Sequence, residues 1–225
     1  MNIAPSKNVD SLEYFHEHKA VIDDHPSIFT DIYQEDVNIV VWKRNLSAEV
    51  QTSVINLIEN HDALQTSLIA TPDDTYKKLI AAGGGLQDAG ALCQDIAELV
   101  SMFCLLYELK KVGLRLTTLD RAMCPRFHVD KVPCRLVCTY HGVASEWLLH
   151  EKVDRSKLGR GNNGLSDDVS GLYQSEKDIN QLNVGDVAML KGELWQGNVG
   201  AGLVHRSPNV SKSEKRLLLT LDFQD

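Results

Sequence analysis

After residue 113 the apolar residues of this chain come in short runs bounded by turn-forming residues, and that rhythm restricts the fold more than any other feature. The runs cover 114–119 (LRLTTL), 134–140 (CRLVCTY), 184–190 (VGDVAML), 202–205 (GLVH) and 215–223 (KRLLLTLDF). Runs of this length read as strands. Many short strands joined by turns build a sandwich or barrel rather than a parallel sheet with crossover helices. Side chains two apart share a face of a strand. Arg216, Leu218, Thr220 and Asp222 therefore form a largely polar face, and Leu217, Leu219 and Leu221 an apolar one suited to core or helix. By the same rule Cys134, Leu136, Cys138 and Tyr140 share one face, and Arg135, Val137, Thr139 and His141 the other.

The part of the chain before these strands has helical periodicity. Asn45 or Ser47 can cap a helix through Val50, Val54, Leu57 and Ile58 that ends near Asn60. Leu92, Ile96, Leu99, Val100, Phe103, Leu106 and Leu109 recur at three and four, which predicts a packing helix over 86–112 stopped by Gly113. Between them, 64–69 reads as a strand and Thr71-Pro72-Asp73-Asp74 starts a short helix to Ala82. Gly83-Gly84-Gly85 reads as a flexible connector, because no Gly-Lys-Ser/Thr follows as a phosphate loop requires. The run 36–42 (DVNIVVW) is a buried strand expected at the edge of the main sheet. Residues 1–35 hold His16, His18 and His25 among acids and prolines, and read as a polar lead with solvated histidines. The expected organisation is α+β: the lead 1–35, then a single domain 36–225 with a helical part over 45–112 and a barrel over 114–225. The long polar stretch 142–181 is expected to be a mobile lid.

A formal net charge of -8 and a pI near 5.5 exclude nucleic acid as the main partner, since phosphate binding needs concentrated Lys and Arg. No uninterrupted apolar run reaches the ~18 residues of a membrane span, and the opening residues do not form a signal peptide. The five cysteines include no Cys-x-x-Cys pair, so they fit free thiols in a reducing compartment. A cytoplasmic address is the expectation.

The residues that carry chemistry are Arg126-Phe127-His128-Val129-Asp130 and the distant Val204-His205-Arg206. On a strand, His128 and Asp130 would stand on one face, roughly 7 Å apart at the backbone. Isolated pairs of this kind are usually structural; a second imidazole, His205, changes the reading. Two imidazoles and one carboxylate make a facial triad that favours Fe(II) and leaves coordination positions open. Cys124, His128, Cys134 and Cys138 offer a competing zinc set, although Cys-x3-His and Cys-x3-Cys lack the spacing of structural zinc knuckles.

With these residues on these strands, about the last hundred residues resemble the Fe(II)- and 2-oxoglutarate-dependent oxygenases, most nearly the prolyl-hydroxylase-like branch. The resemblance implies a double-stranded β-helix, a jelly-roll or cupin-like barrel, buttressed by N-terminal helices. It implies His128, Asp130 and His205 as metal ligands and a basic residue on the last strand for the far carboxylate of 2-oxoglutarate. That residue is Arg216 or Lys215, with Arg206 in reserve. Alternation lets only one of Lys215 and Arg216 point inward. The turn-rich Ser207-Pro208-Asn209 is expected to reverse the chain so that the strands of His205 and Arg216 pair antiparallel. The same resemblance implies that Arg135, Thr139 and Tyr140 line the cosubstrate pocket. The Gly-Gly-x-Thr element usual in such proteins is replaced by Val143-Ala144-Ser145-Glu146-Trp147. More closely, MCPRFHVD, RLVCTYHG, GLVHRSP and RLLLTLDF resemble the bacterial domain-of-unknown-function family 1826 over nearly the whole chain. Its association with zinc-homeostasis genes implies the alternative of a non-catalytic Zn(II)-binding protein. The substrate, small molecule or protein, is left open, as is the oligomeric state.

Overall fold

A computed structural model describes residues 18–61, 63–211 and 214–224. The strands are β1 (Lys19–Asp23), β2 (Val37–Trp42), β3 (Gln65–Ala70), β4 (Val112–Leu119), β5 (Cys134–His141), β6 (Glu146–Leu148), β7 (Ile179–Gln181), β8 (Val187–Lys191), β9 (Val204–Arg206) and β10 (Arg216–Phe223). The α-helices are α1 (Ala48–Asn60), α2 (Thr75–Ala81) and α3 (Gly90–Tyr107). Seven strands form a large sheet in the order β1-β2-β8-β5-β10-β4-β3, antiparallel except where β1 meets β2. Three form a small antiparallel sheet, β7-β6-β9, which an isolated bridge from His128 to His205 extends by one position.

Alternation sorts the large sheet into two environments. Leu217, Leu219 and Leu221 of β10 and Cys134, Leu136, Cys138 and Tyr140 of β5 join Leu92, Ile96, Leu99 and Phe103 of α3 in the largest core. Each of the leucine, isoleucine and phenylalanine side chains among them, once buried, contributes on the order of 1.5–3 kcal/mol. Val50, Val54, Leu57 and Ile58 of α1 enter the same core, and the Ser47 hydroxyl caps that helix by accepting from the Val50 N–H at 3.3 Å. Polar bonds anchor α3 to the sheet. Arg44 makes two bonds to Asp95 at 2.7 and 2.8 Å, and the Tyr140 hydroxyl donates to Asp95 at 2.5 Å. On the other face, Ile39, Val41, Val137 and Leu190 meet Trp147 and Leu203, so the two sheets pack face to face at that end.

Several expectations need correction. The polar lead ends well before residue 35. Lys19–Asp23 pairs with β2, and a 3-10 helix over Pro26–Tyr33 buries Ile28, Phe29 and Ile32. The sparse apolar residues of that stretch suffice because a single turn-spaced stripe covers the sheet end. His16 lies outside the described residues. Consequently β2 is an inner strand, flanked by β1 and β8. The strand expected over 64–69 is present as β3 and pairs with β4.

Helix α3 is shorter than 86–112. It stops at Tyr107 because Glu108 takes the left-handed conformation at φ 53, where the Leu109 N–H closes onto the Cys104 carbonyl. Although α3 has the length and hydropathy of a membrane span, it packs its apolar face into the core. Gly83, Gly84 and Gly85 form a tight turn with φ of 74, 63 and 90, and a Cβ at Gly85 would lie 2.3 Å from the His61 ring. Residues 142–181 are structured rather than a bare polar connection. They hold β6, β7 and several 3-10 turns capped by Asp154 and Ser175, with Leu172 and Tyr173 buried against Phe127, Leu148 and Val204.

Candidate metal centre

The centre lies between the two sheets, where their apolar packing gives way to a cavity. His128 and His205 face one another across an antiparallel bridge, exchanging two backbone hydrogen bonds of 3.0 Å each. Residues 126–130 are otherwise irregular rather than a strand. That segment is held at both ends. The buried Asp167 carboxylate accepts from the Phe127 N–H at 2.8 Å and pairs with Arg126, and the Glu193 N–H donates to the Asp130 carbonyl at 3.0 Å. The second contact depends on Gly192, whose added Cβ would lie 2.1 Å from the Val132 carbonyl and 2.9 Å from that of Asp130.

The donor atoms of His128, Asp130 and His205 lie within 4.8 Å of one another, and among the described residues no other such group of three occurs. The His128 Nε2 is 3.6 Å and the His205 Nε2 3.4 Å from the Asp130 carboxylate. Each ring is oriented from behind: Nδ1 of His128 meets the Arg126 carbonyl at 2.9 Å and Nδ1 of His205 the Leu203 carbonyl at 3.2 Å. A carbonyl only accepts, so both Nδ1 atoms carry the proton and both Nε2 lone pairs face the carboxylate. Burial first, and the neighbouring His205 second, push the His128 pKa below its ordinary 6.5, which keeps the ring neutral. Burial opposes ionisation of Asp130, but His205, the Arg135 guanidinium and His128 around it outweigh that cost and hold the carboxyl well below the usual range.

The sequence matches, over residues 23–222, the family described as protein of unknown function (DUF1826). The chain belongs to that family. No curated protein matches it. Among solved structures, the dioxygenase for auxin oxidation in rice is similar at TM-score 0.51 and 12% identity, over 92% of this chain and 82% of that one. JOX2 in complex with 2OG, Fe and JA is similar at TM-score 0.50 and 9% identity, over 91% and 75%. A prolyl-4-hydroxylase from Pseudomonas putida aligns at TM-score 0.44 and 11% identity, over 88% and 97%. The first two likenesses establish the fold shared by this DUF1826 protein.

The other residues singled out from the sequence of this DUF1826 chain divide sharply. Arg216 enters the cavity fully buried, and its Nη atoms donate to the hydroxyls of Ser207 at 2.8 Å, Ser145 at 2.7 Å and Thr139 at 3.2 Å. No carboxylate pairs with it among the described residues, its Nε is buried without a partner, and burial lowers its pKa to about 10. It reaches the site across the gap between sheets: β10 pairs with β4 and β5, not with β9, so the expected antiparallel pairing is corrected. Arg135 lines the cavity but is committed, bonding Asp130 at 2.7 Å and Asp222 at 2.7 and 3.0 Å.

Two expected pocket residues fall elsewhere, and a third borders the cavity already paired. Tyr140 faces α3, on the side of the sheet that alternation assigns to Cys134 and Cys138. Lys215 points to the end of α1, donating to the carbonyls of Ile58 and His61. Arg206 is held by Glu146 at 2.6 Å and lies over the Phe127 ring. The cysteines do not form a zinc set: Cys134 and Cys138 are buried on the helix side, and Cys124 alone borders the cavity. Ser145, Ser207, Arg115 and Thr117 border the cavity and were not singled out from the sequence. Alternation in LRLTTL, which puts Arg115 and Thr117 opposite Leu114 and Leu116, is the signal that could have found two of them.

Proposed function

We propose that this protein is an oxygenase that binds Fe(II) through His128, Asp130 and His205 and 2-oxoglutarate against Arg216, inside a double-stranded β-helix. The observation that carries this reading is the buried guanidinium of Arg216, which opens on the same cavity as the two imidazoles and has only hydroxyl partners. A buried cation without a counter-charge is costly, and a dicarboxylate removes that cost with a forked, charge-assisted pair. The sheet orders β4-β10-β5-β8 and β7-β6-β9 with His128 beside them support the barrel reading.

The donor set suits the metal: the imidazoles of His128 and His205 and the Asp130 carboxylate would hold Fe(II) and leave coordination positions free. Fe(II) with 2-oxoglutarate and dioxygen supplies an oxidant for unactivated C–H bonds. The chain's own residues do the rest. The Arg126 and Leu203 carbonyls fix the imidazole tautomers, Arg135 orients Asp130, and Arg216 with Ser145, Ser207 and Thr139 receives the far carboxylate. Val137 and Leu218 line the cavity and limit water there. The acidic composition fits a substrate other than nucleic acid, and five free thiols fit a cytoplasmic protein.

The same three donors also suit Zn(II), and a non-catalytic zinc-binding role is the second reading. It leaves the buried, uncompensated Arg216 without a purpose. Protein prepared without oxygen and loaded with Fe(II) is titrated with 2-oxoglutarate, following visible absorption. Wild type is expected to bind, and Arg216→Leu to lose that binding while keeping its affinity for the metal. Failure of the wild type to bind 2-oxoglutarate, with zinc retained in equimolar amount, would replace the oxygenase reading by the zinc one.

A further inference from the structure

Four arginines line the metal cavity, and their counter-charges differ. Arg135 is neutralised by Asp130 and Asp222, and Arg206 by Glu146 at 2.6 Å with Asp167 at 3.7 Å. Arg216 is the deep cation already described. Arg115 is the fourth: it is exposed at the β4 side of the cavity and has no hydrogen bond or ion pair among the described residues.

Its surroundings are unusual for a solvated surface arginine. On β4, Thr117 shares its face two residues on, and on β10, Thr220 lies directly opposite it. The hydroxyls of Thr117 and Thr220 are both buried without a hydrogen-bond partner, although Thr117 is only 8% exposed. Buried hydroxyls are nearly always paired, so two orphans on one cavity wall mark a place where a ligand supplies the missing partners. One row along the sheet, Asp222 is bonded through Arg135 to Asp130, so this wall adjoins the candidate metal site.

We infer that Arg115, with Thr117 and Thr220, binds a single carboxylate on the oxidised substrate, and that the substrate is a small organic acid with an apolar body. This rests on the oxygenase reading of the same cavity. One uncompensated guanidinium matches one negative charge, and two hydroxyls complete the donors a carboxylate accepts. Met123, Val137 and Leu218 form an apolar wall beside them. A polyanion would need more cations than this wall offers and would approach a chain of net charge -8.

Phenylacetate and hexanoate, each compared with its neutral primary amide, are titrated by calorimetry into protein loaded with Fe(II) and 2-oxoglutarate under nitrogen, and in parallel into the metal-free protein. Each acid is expected to bind at least about tenfold more tightly than its amide. Arg115→Gln erases that preference and leaves 2-oxoglutarate affinity unchanged, Arg115→Lys keeps part of it, and Thr117→Val weakens the acids about fivefold. Equal binding of acid and amide, no binding of either acid, or a preference that survives Arg115→Gln would overturn the inference. If 2-oxoglutarate fails to bind the wild type, the oxygenase reading falls. The acid preference of the metal-free protein still decides the role of Arg115.

Discussion

The two faces of the large sheet come from the same strands and do opposite work. On the helix side, β5 and β10 present Cys134, Leu136, Cys138, Leu217, Leu219 and Leu221 to α3, closely packed and apolar. On the cavity side the polar residues Arg135, Thr139, Arg216, Thr220 and Asp222 alternate in with Val137 and Leu218, and Arg216 and Thr220 carry orphaned atoms. A structure that invests in stability satisfies its buried polar atoms. The cavity face leaves such atoms unmet, so the closely packed helix side carries more of the stability.

The most forceful test of that division is to truncate each face. Phe103→Ala on the helix side should cost about 3–5 kcal/mol in urea unfolding, since Phe103 is fully buried, with no change in metal affinity. Arg216→Met in metal-free protein should stay within about 1 kcal/mol of wild type, because relief of the desolvation cost of an uncompensated charge offsets the hydrogen bonds lost by Ser145, Ser207 and Thr139. Equal losses from the two would erase the distinction.

A smaller effect is expected from Arg135→Gln. Arg135 bridges Asp130 to Asp222, so its loss should weaken metal binding by roughly 10–100-fold, measured by competition with a chelator. Unchanged affinity would mean that the Glu193 and Gly192 backbone alone positions the carboxylate.

The smallest effect is the pH response of the metal-free protein. The folded pKa of His128 lies below its ordinary 6.5, so the unfolded chain takes up the proton first and stability declines as pH falls below that value. Asp130 is also depressed, from 3.8, so its contribution is present above that pH and is lost as acid protonates the folded carboxyl. Melting temperature against pH should show the two declines in separate windows, with His128→Gln abolishing the upper one.

Much of this was legible in the residues. Alternation alone put Arg216 on the polar face and Leu217, Leu219 and Leu221 on the apolar one, because a one-residue shift exchanges every side chain between core and cavity. Tyr140 shows the same rule prevailing over family likeness: its parity with Cys134 places it against Asp95. Less legible was anything set by contacts between distant segments. The buried stretch Ile28–Ile32 has too few apolar residues to stand out until β2 is beside it, and residues 142–181 look like loop because their order comes from side-chain caps. The pairing of β9 with β6 rather than β10 is likewise a matter of topology, which periodicity does not encode.

The position of β10 bears on how the molecule is made. It is the last of the described strands and yet sits inside the large sheet, between β4 and β5. Until it is synthesised, β4 and β5 have no neighbour on those sides, and their open edges can pair with other chains. It also brings Arg216 and the Asp222 that steadies Arg135, shortly after β9 has brought His205. The three candidate metal donors are thus synthesised before the strand that fills the middle of the large sheet, so completion of the sheet is the later event.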